Sequence, residues 1–188
     1  MPSEYVHRAA FVALAVAAFA CKHPEQSTPP PAVAATYYVG TTATTSPDGA
    51  QPYGPPKTIA VRRTVDPAQD RIEELVVHPG EQFFTELRRR PGDTAVFTTT
   101  DRAGSFSGTV RFTGPEWAWT AWTYDIAMSD GSGKLQGSGR LGARSLDTDK
   151  LFVSPDGQPR ARIVEHLEQV DEPTYASTRD QLLPTDPS

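Results

Sequence analysis

The chain reads as mainly β: a single antiparallel up-and-down β-barrel of about nine or ten strands, followed by a short C-terminal helix. Three observations lead there. Turn signals recur at an even spacing: Ser46-Pro47-Asp48-Gly49, Val65-Asp66-Pro67, His78-Pro79-Gly80, Pro91-Gly92-Asp93, Asp101-Arg102-Ala103-Gly104, Gly114-Pro115, Asp130-Gly131-Ser132-Gly133 and Ser154-Pro155-Asp156-Gly157. Proline fixes φ and glycine frees it, so both mark chain reversals. The segments between are rich in Thr, Val, Phe, Ile and Trp, which suit a pleated, half-buried surface. A sheet of that size left open would carry two unpaired edges, so closure is expected.

In order, strands are expected at 36–46, 57–66, 70–78, 81–90, 94–101, 105–113, 117–129, 133–143, 146–153 and 158–170. The clearest alternation runs over Ser105–Thr113, with Phe106, Gly108, Val110 and Phe112 on one face and Ser107, Thr109 and Arg111 on the other. Ile59, Val61 and Val65 share a face of the strand Lys57–Asp66 in the same way. A helix follows the last strand. Asp171 or Glu172 can cap it, Pro173 suits its first turn and Pro184 ends it. Tyr175, Thr178 and Leu182, with Ala176, Arg179 and Leu183, form its stripe, which is expected to pack on a barrel mouth or wall.

Ahead of the barrel, Arg8 precedes an uncharged run from Ala9 to Ala20 that ends at Cys21, the single cysteine of the chain. About 12 apolar residues are too few to span a bilayer, which needs about 20 in a helix, and they match the core of an export signal. Ala18-Phe19-Ala20 fits the small-x-small pattern of ordinary signal cleavage. Ala18-Phe19-Ala20-Cys21 also resembles the lipobox of bacterial lipoproteins, with Ala18 where Leu is commonest and Phe19 where a smaller residue is usual. Both readings cut before Cys21. The lipoprotein resemblance implies acyl and diacylglyceryl groups on Cys21 and a membrane as its partner. It also disposes of a lone thiol in an oxidising compartment.

Residues 22–35 carry Pro24 and Pro29-Pro30-Pro31 and no large apolar side chain, so they read as an extended spacer. At about 3.1 Å per residue that spacer lifts a domain roughly 40 Å from a membrane. The expected organisation is therefore a signal peptide at 1–20, a lipid-anchored linker at 21–35, a barrel domain at 36–184 and a tail at 185–188. Lys22 after the cysteine is not the Asp associated with inner-membrane retention. The expected location is thus lipid-anchored to the cell or outer membrane, with plain secretion or a soluble periplasmic protein as the alternative.

A formal net charge of −5 gives no electrostatic footprint for nucleic acid. Absence of cysteine pairs leaves the fold to its core. No catalytic signature stands out. Asp130-Gly131-Ser132-Gly133-Lys134 lacks the first glycine and the trailing hydroxyl of a phosphate loop and reads as a hairpin turn. Gly137-Ser138-Gly139 lacks the spacing of a nucleophile elbow. In the domain, His78 and His166 stand apart without cysteines, so no metal or cofactor is expected; His166 among Glu165 and Glu168 reads as surface ion pairing. Arg88-Arg89-Arg90 reads as a solvated turn, with an anionic-lipid contact as the lesser alternative.

One segment does invite a binding role. Trp117, Trp119, Trp122 and Tyr124 lie on a single expected strand, the first two on one face and the last two on the other. One ring set is expected to line the interior, as a filled core under the C-terminal helix or as the wall of an apolar ligand cavity. The strand cadence, the run Trp122–Gly139, and the later Ser154-Pro155-Asp156-Gly157 and Glu165-His166-Leu167 resemble the lipocalin-like (calycin) barrels. The Gly-x-Trp hallmark is missing from the first strand, where Thr36–Thr42 reads TYYVGTT. That leaves the resemblance to imply the broader barrel type; closed-barrel topology and the aromatic strand together favour the binding of a small apolar molecule such as a fatty acid or haem, without catalysis. A protein-interaction role with a filled barrel is the alternative, and a secreted hydrolase with Glu165 or Glu168 turned inward is the third.

Overall fold

A computed structural model describes residues 32–93, 95–101 and 106–183. The signal segment, Cys21, the spacer up to residue 31 and the tail at 185–188 lie outside the described residues. What is described forms ten antiparallel strands and one helix: β1 (Ala34–Thr45), β2 (Lys57–Asp66), β3 (Arg71–His78), β4 (Glu81–Arg89), β5 (Val96–Asp101), β6 (Phe106–Thr113), β7 (Ala121–Met128), β8 (Lys134–Leu141), β9 (Ser145–Val153), β10 (Pro159–Val170) and α1 (Glu172–Leu182). Each strand pairs with its neighbours in sequence, and β1 pairs with both β2 and β10, which closes the barrel. In the closing seam Tyr38 stands opposite Gln169 and Gly40 opposite Leu167.

Closure divides every strand into an inner and an outer set, because successive side chains point to opposite faces. Ile59, Val61, Ile72, Leu87, Val110, Phe112, Trp122, Ile126, Leu146 and Leu167 form one buried cluster inside. The alternations read in β2 and β6 are the inner sets of those strands. At four positions, Gly40, Gly108, Gly137 and Gly139, the inner wall has no room for a side chain. A Cβ on Gly40 would overlap the backbone of His166 across the seam, and a Cβ on Gly139 would overlap the Trp122 ring lying against it.

Helix α1 is capped by Asp171, whose carboxylate accepts the Thr174 N–H at 2.9 Å. It lies against the outer wall of β1, β2 and β3, not over the aromatic strand as the filled-core reading had it. Tyr175 packs there with Ala60, Val77, Val39 and Leu75, and its ring is 5.2 Å from that of Tyr37. At its far end the Gly80 N–H donates to the Leu182 carbonyl at 2.8 Å, tying the helix to the β3–β4 turn.

The expected strand 117–129 is shorter than the sequence suggested. β7 begins at Ala121, and residues 114–120 form a folded connection. Gly114 at φ 119° and Trp117 at φ 61° turn the chain out of the extended conformation. Trp119 therefore drops back into the barrel beside Trp122 instead of facing away from it.

Gly139→Ala is expected to destabilise the domain by about 1–3 kcal/mol, since the Trp122 ring must leave its place. Urea unfolding followed by tryptophan emission reads both the lowered midpoint and the altered ring environment.

Candidate binding cavity

The two ends of the barrel differ. At the end bearing the β2–β3, β4–β5, β6–β7 and β8–β9 connections, aromatic rings fill the interior. Phe97 stands edge-on to Phe112 at 5.0 Å and to Trp119 at 5.2 Å, and Phe112 contacts Trp119 at 4.8 Å. Trp117 covers Trp119 at 4.9 Å. The Arg89 guanidinium lies 5.4 Å over the Trp117 ring and pairs with Glu116, and with Asp70 at 2.6 Å. The contacts are offset or edge-on, the arrangements aromatic pairs favour, and they seal this end.

Towards the opposite end, where the β3–β4, β7–β8 and β9–β10 turns lie, the interior opens into a cavity of about 180 Å³. Its apolar wall includes Val61, Val76, Phe83, Phe106, Val110, Trp122, Ile126, Leu135 and Leu146. Its polar groups are Glu74, Thr85, Thr99, Tyr124, Thr148, Lys150 and Glu165, with His78 near the mouth. Of the four aromatic residues singled out in the sequence, Trp122 and Tyr124 line this cavity, while Trp117 and Trp119 belong to the seal. An engineered cavity of about 150 Å³ holds one benzene, so the enclosed part of a ligand here is a single ring with small substituents. A haem macrocycle or a long acyl chain exceeds that space.

The polar wall is arranged as matched charges. Lys150 Nζ donates to Glu165 Oε1 at 2.7 Å, and Thr148 Oγ1 donates to Glu165 Oε2 at 2.6 Å. Arg63, almost fully buried, donates through Nη1 to Glu74 Oε1 at 2.8 Å. Its guanidinium also stacks 4.9 Å from the Trp122 ring centre and 5.6 Å from that of Phe112. Burial pushes the Glu165 carboxyl up. The Lys150 charge, hydrogen bonds from Lys150 and Thr148, and the nearby His78 outweigh it and hold the group below its usual 4.5. Burial holds His78 below its ordinary 6.5, against the pull of Glu165 and Glu81. Burial likewise raises the Tyr124 hydroxyl far above its usual range. Near neutral pH, then, Glu165 is ionised and both His78 and Tyr124 are uncharged.

One group is left over. Thr99, 1% exposed, has no hydrogen-bond partner for Oγ1 among the described residues, and it sits in the cavity wall. A buried hydroxyl in that state costs about 1–3 kcal/mol unless something satisfies it.

The remaining candidates resolve simply. His166 is exposed on the outer wall and pairs with Asp147, whose hydrogen bond and charge raise its pKa. Glu165, one residue earlier, faces inward. Asp130 accepts the Ser132 N–H at 2.8 Å in the β7–β8 turn, as a hairpin reading requires. Two of the three arginines at 88–90 are paired, Arg88 with Glu86 at 2.8 Å and Arg89 as above. No group of three or more His, Cys, Asp or Glu side chains among the described residues could hold a metal ion. No helix among them is long and apolar enough to cross a membrane. Phe83 lines the cavity, and among the described residues the exposed large apolar side chains are Val33, Tyr53 and Val164, on three separate segments. Set against known proteins, the chain matches no family model and no curated sequence.

Two outcomes follow from the charges. In an NMR titration of the histidine rings, His78 is expected to titrate below 6.5 and His166 above it. Lys150→Met is expected to destabilise the protein at pH 7 by about 3 kcal/mol, because a carboxylate is left unpaired in a low-dielectric cavity. In the native protein Glu165 has a depressed pKa, so its contribution is present above its unfolded value and fades as pH falls through the folded value. Removing Lys150 reverses that sign, and chemical denaturation at pH 5 should show a smaller loss than at pH 7.

Proposed function

We propose that this protein is an exported, lipid-anchored binding protein whose barrel holds one small, largely apolar molecule and carries out no reaction on it. The observation that carries the binding reading is the cavity. A barrel meant only as a scaffold fills with its own side chains, as this one does at its aromatic end. Here the filling stops half-way, and the remaining space is walled by apolar groups with a few convergent polar ones, the usual composition of a ligand site. Catalysis is not favoured by the same wall. Its carboxylates are neutralised by Arg63 and Lys150, and the Glu165 carboxyl is held down, not raised towards neutrality as a general acid needs. The export and anchoring half of the reading rests on the apolar run before Cys21 and on the proline-rich spacer after it.

Trp122 in the cavity wall supplies the reporter. Small aromatic solutes are expected to change tryptophan emission saturably in the wild-type domain. Val76→Phe, which places a ring in the cavity, should abolish the response while circular dichroism stays unchanged. A flat titration with intact fold overturns the binding reading. For the anchor, intact-mass measurement of the mature protein should find Cys21 at the N-terminus with diacylglyceryl and acyl groups. An unmodified Cys21 leaves plain secretion.

A further inference from the structure

We infer that the cavity selects an uncharged ring compound bearing a hydrogen-bonding oxygen, in preference to a hydrocarbon, a carboxylate or an amine of the same size. This rests on the binding reading above and adds the chemical class of the ligand. Size comes first: about 180 Å³ encloses one ring and little more.

Charge decides between ions and neutral molecules. Among the described residues, the ionised side chains that face the cavity are matched: Arg63 with Glu74 at 2.8 Å and Lys150 with Glu165 at 2.7 Å. The other two titratable groups in the wall, His78 and Tyr124, are uncharged near neutral pH because burial disfavours their ions. A ligand ion would surrender its hydration and meet no unmatched counter-charge.

Polarity decides between a hydrocarbon and an oxygen compound. Thr99 Oγ1 is buried in the wall with no partner among the described residues. Lys150 Nζ carries three N–H donors and gives one to Glu165. These two groups stand on β5 and β9, four strands apart round a ring of ten, and both residues belong to the cavity wall. A ring oxygen reaching either satisfies a group that a hydrocarbon leaves bare. Binding sites that carry such groups discriminate strongly against analogues lacking the matching atom.

The probes are toluene, phenol, benzyl alcohol, benzoate and benzylammonium at pH 7, titrated calorimetrically into the wild-type domain, Thr99→Val, Thr99→Ser and Val76→Phe. Phenol or benzyl alcohol should bind the wild type about tenfold or more tighter than toluene, and tighter than either ion. Thr99→Val, which keeps the shape and removes the hydroxyl, should lower that preference by about tenfold, mainly by weakening the oxygen compound. Thr99→Ser should retain it, and Val76→Phe should bind none of the probes. Toluene binding as well as phenol, or an ion binding as well as the neutral compounds, overturns the assigned class and leaves the cavity reading standing. Failure of every probe to bind the folded wild type overturns both. Should Thr99→Val not fold, the wild-type ranking decides by itself.

Discussion

The first and last strands of the barrel meet over most of their length, from Tyr37 opposite Val170 to Thr45 opposite Arg162. Without that seam β1 and β10 are exposed edges, and the inner and outer faces of all ten strands lose their meaning. Its geometry is demanding: the backbones approach so closely at Gly40 that no side chain fits there. Pairing residues so distant in sequence is entropically expensive. Helix α1 offsets part of that cost from outside. It leaves the end of β10, crosses β1 and β2 to reach β3, and fastens to Gly80. Tyr175 under the helix and Leu167 inside the barrel thus support the same joint from its two faces.

Given a closed wall, the interior had to be filled or left open, and the chain does both. Large rings pack the end where the β6–β7 connection folds back, so Trp119 supplies bulk that the strands alone do not. Arg63 marks the change of character. Its guanidinium stacks on Phe112 and Trp122 while its Nη1 reaches up to Glu74. Beyond it the inner positions include Thr85, Thr99, Thr148, Lys150 and Glu165 among the apolar ones, side chains too slim or too polar to close the space. Gly139 serves the same division: the flat Trp122 ring can lie against the wall only where the wall has no side chain.

The legible parts of this fold were those governed by local chemistry. Turn residues marked every connection except the one between β8 and β9, because proline and glycine act within a few residues, and the alternation in β2 and β6 identified their inner faces. The helix cap at Asp171 was readable for the same reason. Trp117 to Trp119 misled because aromatic residues carry a strand preference, while the left-handed turn at Trp117 depends on the contact with Arg89 and the rings beneath. The charged interior was hidden for a different reason. A barrel wall alternates strictly, so Glu165 and His166 differ in face by one residue, and only the register of β10 against β9 decides which is inside. The nearest sequence signal was the odd pairing of polar residues at alternate positions, Thr148 with Lys150.

Stability alone does not account for Lys150 and Glu165. Replacing a buried ion pair by apolar residues of equal volume is commonly neutral or stabilising, and the neighbouring wall is already apolar. Hydrocarbon side chains at these positions would, however, extend the packed core into the open end. An ion pair resists that. Glu165 is held by Lys150 and Thr148 in one geometry, and Lys150 lies along the wall to reach it, so both side chains line the space without occupying it. The pair also carries no net charge, and Lys150 Nζ has more N–H donors than the one it gives to Glu165. A purely structural barrel needs neither property, whereas a site that admits one small neutral molecule needs both.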